Sequence, residues 1–200
     1  MEAANLPQII LASSSPRRQE LMASLSLPFE VMPSHADEST PANWPPDRMV
    51  KELAARKAEA VRLTLEPSRR HGIIVGSDTI VVRDGVVLGK PRTQAEAADM
   101  LRSLQGRSHT VYTGVACMDA STGTHKVEYR STTVTMKALT EAQIQAYARS
   151  GEGLDKAGAY AIQGLGATIV THIEGCYFNV VGLPISLLVD MLNDFGISVL

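Results

Sequence analysis

The 200-residue chain predicts an α/β fold, a mixed β-sheet flanked by helices. Three observations predict it. The apolar run Ile9-Ile10-Leu11-Ala12 ends in Ser13-Ser14-Ser15 and then Pro16, which opens an amphipathic pattern; a strand feeds a tight loop that feeds a helix start. Two apolar runs, residues 73–82 and 86–88, flank Arg83-Asp84-Gly85, a hairpin turn signal. Thr93 with Glu96 and Thr140 with Gln143 have the spacing of capping boxes and place helices between strand-like segments.

The elements follow in order. Residues 8–12 read as a strand and 16–26 as a helix with Leu21, Met22 and Leu25 on one face. Proline suits a first helical turn, where its missing N–H has no partner to lose. Residues 29–32 read as a short strand and 33–46 as a loop carrying His35, Asp37 and Glu38. Residues 47–65 form a strong helix with the stripe Val50, Leu53, Ala54, Ala58, Val61 and Leu65. A hairpin over 73–88 leads to Gly89-Lys90-Pro91, and a helix runs from Thr93 to about Leu104. Residues 110–118 and 126–136 alternate as strands about Ser121-Thr122-Gly123. A helix from Thr140 stops before Gly151, residues 167–173 read as a strand, and Tyr177 and Asn179 read as turn residues. Pro184 opens a last helix with Ile185, Leu188, Met191 and Leu192 on its core face.

Composition narrows the class. The length suits one large domain, or two small lobes with a cleft between them, taken together as a single domain over residues 1–200, and a net charge of −2 gives no sign of bulk attraction to nucleic acid or anionic membrane. Aromatic content of 4% argues against a stacking platform for single strands. No apolar run approaches the ~20 residues of a membrane span. Glu2 and the lack of a basic segment before the first apolar run argue against a signal peptide. Cys117 and Cys176 stand far apart without metal-ligand spacing, which fits a reducing cytoplasm. The five histidines (35, 71, 109, 125 and 172) show no paired metal spacing and read as non-catalytic.

Chemistry is expected where polar residues break the local pattern. Arg17 and Arg18 sit in the first turn of a helix, where the dipole disfavours cations, so an anion such as a phosphate would offset the cost. Ser13, Ser14 and Ser15 add hydroxyl donors there. The alternative is an ordinary serine cap followed by solvated arginines. Lys57 falls on the buried stripe of its helix and either snorkels outward or enters a site. Asp78 interrupts an apolar strand at Gly76-Ser77-Asp78-Thr79; a carboxylate there is costly unless paired or bound to a cation. With Glu38 as partner, it fits the few carboxylates that Mg²⁺ takes beside phosphate oxygens. Lys90 tips a rigid segment or is a plain surface lysine. The stretch 155–164 sets polar groups among small residues, and Gln163 offers the donor and acceptor that a nucleobase edge needs, or bonds its own loop.

Leu11 to Arg18, Ala55-Arg56-Lys57-Ala58, Ser77-Asp78-Thr79, Gly89-Lys90-Pro91 and the 155–164 stretch together resemble the Maf family of nucleotide pyrophosphatases, in the family's order. The resemblance implies an inosine-triphosphate-pyrophosphatase-like fold: an elongated mixed sheet and two lobes with a central cleft. It implies hydrolysis of a nucleoside triphosphate to the monophosphate and pyrophosphate with a divalent metal, Mg²⁺ or Mn²⁺. The 155–164 stretch resembles the subfamily acting on dTTP and UTP, with modified pyrimidine nucleotides also open. On that similarity Asp78 is the catalytic residue, and Ser13, Ser15, Arg18, Lys57 and Lys90 bind phosphate. Arg17, Thr79 and Gln163 set specificity, and Glu38 joins Asp78 at the metal. A nucleotide-binding regulator of cell division and a nucleotidyltransferase are the alternatives. A cytoplasmic location follows, with a homodimer left open.

Overall fold

A computed structural model describes residues 9–200; Gln8, the first residue of the expected opening strand, lies outside them. The strands are β1 (Ile9–Leu11), β2 (Phe29–Val31), β3 (Ile73–Arg83), β4 (Val86–Leu88), β5 (Ser108–Asp119), β6 (His125–Met136) and β7 (Val170–Glu174). The helices are α1 (Pro16–Ala23), α2 (Pro46–Thr64), α3 (Gln94–Leu104), α4 (Glu141–Ser150), α5 (Tyr177–Val181) and α6 (Ile185–Asp194). The strands form one seven-stranded sheet in the order β2-β1-β3-β5-β6-β7, with β4 also on β3. Pairing is mixed, as the patterning predicts: β1 runs parallel to β2 and β3, whereas β4 pairs antiparallel with β3 and β7 with β6.

Two compact units divide the chain. Unit 1 runs up to Asp78 and adds Thr113–Tyr129 and Gly182–Leu200; unit 2 holds Thr79–Tyr112 and Arg130–Val181. Within unit 1 the period of two along β1 separates two apolar clusters. Ile9 and Leu11 pack with Met22 of α1 and Leu188, Met191 and Leu192 of α6. Ile10 packs with Ala54, Ala58 and Val61 of α2. In unit 2, Leu101 and Leu104 of α3 and Ile144 and Tyr147 of α4 pack on Val111, Val134 and Met136.

Several elements differ from the sequence expectations. α1 stops at Ala23, and Ser26 adopts a left-handed φ of 56° that breaks the helical continuation to residue 26. Residues 164–168 form a 3₁₀ turn, so β7 begins only at Val170. Glycines at 164 and 166 deprive that segment of strand propensity. The Thr140–Gln143 capping box is complete. The Thr93–Glu96 box is half-formed: Thr93 accepts from the Glu96 N–H, but the Glu96 carboxylate takes the Arg92 N–H at 2.9 Å. Tyr177 and Asn179 lie in the short helix α5, and the buried Asn179 amide donates to Val111 O and Thr132 Oγ1, each at 3.0 Å.

The seat of α2 is set by two glycines. A Cβ on Gly76 of β3 would fall 2.2 Å from Ala54 O, and one on Gly114 of β5 would fall 2.2 Å from Val50 O. Both carbonyls belong to α2, so the helix backbone rests directly on the strands. Gly114→Ala therefore forces α2 away, and its expected cost is about 3 kcal/mol, the upper end for overpacking. Urea unfolding checks this.

His109 of β5 and Tyr160 form a buried pair in unit 2, with His109 Nε2 2.6 Å from the Tyr160 hydroxyl. His109 Nδ1 has no partner, and burial alone pushes the imidazole down from 6.5 to about 4. The folded state thus holds a neutral ring where the unfolded chain binds a proton. Stability from this site is complete above about pH 6.5 and declines as pH falls toward about 4. Between pH 7.5 and 5.0 the wild type is expected to lose about 2 kcal/mol more than His109→Gln, read from urea midpoints at the two pH values.

Candidate active site

The α1 start in unit 1 is built as the pattern suggests, but not as a serine cap. Ser15 precedes the helix in extended geometry and makes no side-chain cap bond. Ser13 is buried instead, and its hydroxyl accepts from the Ser15 N–H at 3.2 Å and from Arg18 Nη1 at 3.4 Å. The first-turn N–H groups are therefore left without a side-chain cap, the arrangement that receives an anion. Arg17 is half-buried in the same turn. Arg18 turns inward, and its Nε donates to Gly182 O at 2.7 Å. Burial draws the Arg18 guanidinium below its usual pKa; Asp78 opposes this, Arg17 adds to it, and Glu38 opposes it again. A guanidinium remains charged under that pull.

Lys57 does not snorkel outward. Its Nζ lies 2.6 Å from Asp78 Oδ1 and 2.7 Å from Glu38 Oε1. The Lys57 and Asp78 side chains are 12% and 10% exposed, against 55% for Glu38, so the inner pair is the more desolvated and the stronger. Asp78 is held in place by its neighbour: the buried Ser77 hydroxyl donates to Gly182 O at 2.9 Å, the carbonyl that Arg18 also uses. The sequence marks Ser77 only as a neighbour of Asp78 in the Ser77-Asp78-Thr79 motif and assigns no role to Gly182, since a hydroxyl in a strand gives little signal. In unit 1, then, the structure brings together Ser13, Arg18, Lys57, Asp78 and Glu38.

Unit 2 carries Thr79, Lys90 and Gln163. Thr79 is half-buried in β3, and Lys90 is exposed. The Gly158 N–H donates to Gly89 O at 3.1 Å, which ties the Gly89-Lys90-Pro91 segment to the 155–164 loop. Gly158, at a φ of 72°, lies against Val81 of β3; a Cβ there would be 3.1 Å from the valine methyls. Gln163 is half-buried in the loop that follows Tyr160. Cys117 is buried, with its thiol pushed up to about 12 by burial, so it is unreactive.

Among the described residues no three His, Cys, Asp or Glu side chains gather as a metal centre. Asp78 and Glu38 converge on one cation, the Lys57 ammonium. Two hard oxygen donors at one point fit a Mg²⁺-like ion that draws its other ligands from phosphates and water. They do not make a preformed cage.

The Maf-like protein family model matches residues 8–195. The chain belongs to the Maf family. The dTTP/UTP pyrophosphatase of Pelotomaculum thermopropionicum is 50% identical, over 98% of this chain and 100% of that protein. That of Desulforamulus reducens is 51% identical, over 96% of this chain and 98% of that protein. Among solved structures, the Ham1 protein of Staphylococcus aureus aligns over 82% of this chain and 80% of its own, with 13% identity and a TM-score of 0.47. No helix among the described residues is long and apolar enough to cross a membrane.

Lys57→Met separates the ion pair from simple packing. Methionine fills the same space but strips Asp78, 7% exposed, of its ammonium. The expected loss is about 3 kcal/mol, the low end for breaking a buried pair, because the Arg18 charge still attracts Asp78. Adding Asp78→Asn should restore most of it. A double-mutant cycle of urea midpoints makes the measurement, and a neutral Lys57→Met would return the lysine to a packing role.

Proposed function

We propose that this chain is a nucleoside triphosphate pyrophosphatase that hydrolyses dTTP and UTP to the monophosphate and pyrophosphate. The observation that carries the reading is the Lys57–Asp78–Glu38 cluster, one cation between two carboxylates, in a Maf-family chain whose relatives at about half identity are dTTP/UTP pyrophosphatases.

Each residue has a role suited to its chemistry. The α1 N–H groups, Ser13, Ser15, Arg18, Lys57 and Lys90 bind the triphosphate. Asp78 orients or deprotonates the water that attacks as the bridge between the α and β phosphates breaks. Asp78 and Glu38 would hold a divalent cation, Mg²⁺ or Mn²⁺, which supplies charge neutralisation for the departing pyrophosphate. Arg17, Thr79 and Gln163 set base choice. Uracil and thymine present a carbonyl–imide–carbonyl edge that a neutral amide meets as donor and acceptor together. Cytosine replaces one carbonyl with an amino group and so mismatches the same amide orientation.

Turnover is favoured over a purely regulatory binder on electrostatic grounds. Two carboxylates beside a phosphate site repel the ligand. A protein that only bound nucleotide would gain by losing them, whereas a hydrolase uses them for water and metal.

The test is pyrophosphate release from a panel of nucleoside triphosphates with Mg²⁺ and no acceptor. UTP and dTTP should lead CTP and the purine nucleotides in kcat/KM, and thorough chelation should abolish release. Asp78→Asn should fold and lose about 10²-fold or more in rate. Binding without release would support the regulator, and release only with an acceptor would support the transferase. A purine triphosphate ranked first would overturn the pyrimidine assignment alone.

A further inference from the structure

The loop that presents Gln163 is held by a pair of side chains that the phosphate and water chemistry does not use. Tyr147 belongs to α4, and Glu152 follows the left-handed Gly151 that ends that helix. The Tyr147 hydroxyl donates to Glu152 Oε2 at 2.6 Å and accepts from the Ala161 N–H at 3.1 Å. The Glu152 carboxylate accepts from the Leu165 N–H at Oε1 and the Gly166 N–H at Oε2, both at 2.9 Å. One phenol–carboxylate pair therefore grips the backbone two residues before Gln163 and two and three residues after it. Between the grips lie only Ile162, Gln163 and Gly164.

The fit is close. Gly164 has a φ of 60°, and a Cβ there would fall 2.1 Å from Glu152 Oε1. Only glycine lets the chain pass the carboxylate at that distance. Burial raises the Glu152 pKa, but the bonds from Tyr147, Gly166 and Leu165 and the Lys156 charge outweigh it and hold the group below the usual glutamate value. The clamp is thus anionic, and three of its donors are fixed in direction. Lys156 Nζ bonds the Glu152 carbonyl as well, which anchors the carboxylate's own backbone.

We propose that Tyr147 and Glu152 are positioning residues for base discrimination: they fix the orientation of Gln163 without touching the nucleotide. The inference rests on the reading of Gln163 as the base-edge residue. Its physical basis is that uracil and cytosine carry the acceptor and donor at positions 4 and 3 in opposite order, and an amide free to rotate by half a turn satisfies both equally. With glycines at 164 and 166, a loop without the clamp has backbone freedom that loosens the amide. Discrimination then falls, while the grip on the triphosphate, made by other segments, persists.

The experiment measures kcat and KM for UTP and CTP in wild type, Tyr147→Phe, Glu152→Gln, Glu152→Ala and Gln163→Ala, with thermal unfolding of each. Tyr147→Phe and Glu152→Ala are expected to lower the UTP-to-CTP ratio of kcat/KM by about tenfold. The change should appear in KM, with kcat for UTP within about twofold of wild type. Glu152→Gln should fall between, because its single oxygen still accepts one of the two N–H groups. Tyr147→Phe keeps the buried ring and carries the test if Glu152→Ala does not fold. An unchanged ratio in Tyr147→Phe, or equal losses for both nucleotides, would overturn the proposal while a lowered ratio in Gln163→Ala left the base-edge reading intact. An unchanged ratio in Gln163→Ala would overturn that reading and the proposal with it.

Discussion

The rest of unit 1 depends on the direct contact between the α2 backbone and the sheet. Gly76 and Gly114 present no side chain to α2, and the carbonyls of Ala54 and Val50 occupy the space where Cβ atoms would stand. A helix normally packs through its side chains at a distance set by them. Here it sits lower, and its small face of Ala54 and Ala58 follows from that height. The depth has a chemical consequence. Lys57 lies one turn beyond Ala54, and a long side chain at that depth reaches Asp78, two residues beyond Gly76 on β3, without leaving the protein. The same two strand glycines that admit the helix therefore decide where a buried ammonium meets a buried carboxylate.

That meeting governs the electrostatics of the candidate site. An ammonium at 12% exposure is tolerable only with a hydrogen-bonded counter-charge, and Asp78 at 10% has the same requirement. Glu38 adds a second carboxylate from a loop and stays half in water, so its contribution is modest in stability and larger in local charge. Arg18 completes the balance from α1, its burial opposed in part by attraction to both carboxylates. Two cations and two anions thus neutralise one another in the absence of substrate. On the proposed function, a triphosphate would bring negative charge for Arg18 and Lys57 to take up, and the carboxylates would then face water or a divalent ion.

Much of this was legible in sequence because it depends on short spacings. The strand–serine–proline run, the hairpin at Arg83-Asp84-Gly85 and the Thr140 capping box are local, and all appear where the pattern puts them. Lys57 was readable because its place on the α2 stripe is fixed by the helical period. Local signals failed where a competing local partner existed. Glu96 could serve Thr93 or Arg92, and the Arg92 N–H won. The 167–173 run carries apolar residues of strand type, yet Gly164 and Gly166 curl its approach into a 3₁₀ turn. Tyr147 and Glu152 were not legible. Tyr147 sits on the apolar stripe of α4 beside Ile144 and Ala148, so its ring explains its position fully. Glu152 resembles any solvated loop carboxylate. Their partners are backbone N–H groups, which every sequence has, and no residue type marks which of them will be held.

The two units place different physics at their candidate residues. In unit 1 the groups are charged, closely paired and anchored to a shared carbonyl, Gly182 O, which accepts from both Arg18 and Ser77. In unit 2 the candidate reader is a neutral amide, and the charged group nearest to it in function, Glu152, is spent on backbone N–H groups. A charge aimed at a nucleobase would favour any base with a complementary polar edge and so discriminate poorly. A neutral amide discriminates only if its donor and acceptor are held in one order, because rotation by half a turn exchanges them. Orientation therefore has to come from outside the amide, and a carboxylate serves that purpose best when it binds backbone, where the acceptor order cannot slip. The cost of a glycine-rich loop, its freedom, is offset at the positions that flank Gln163.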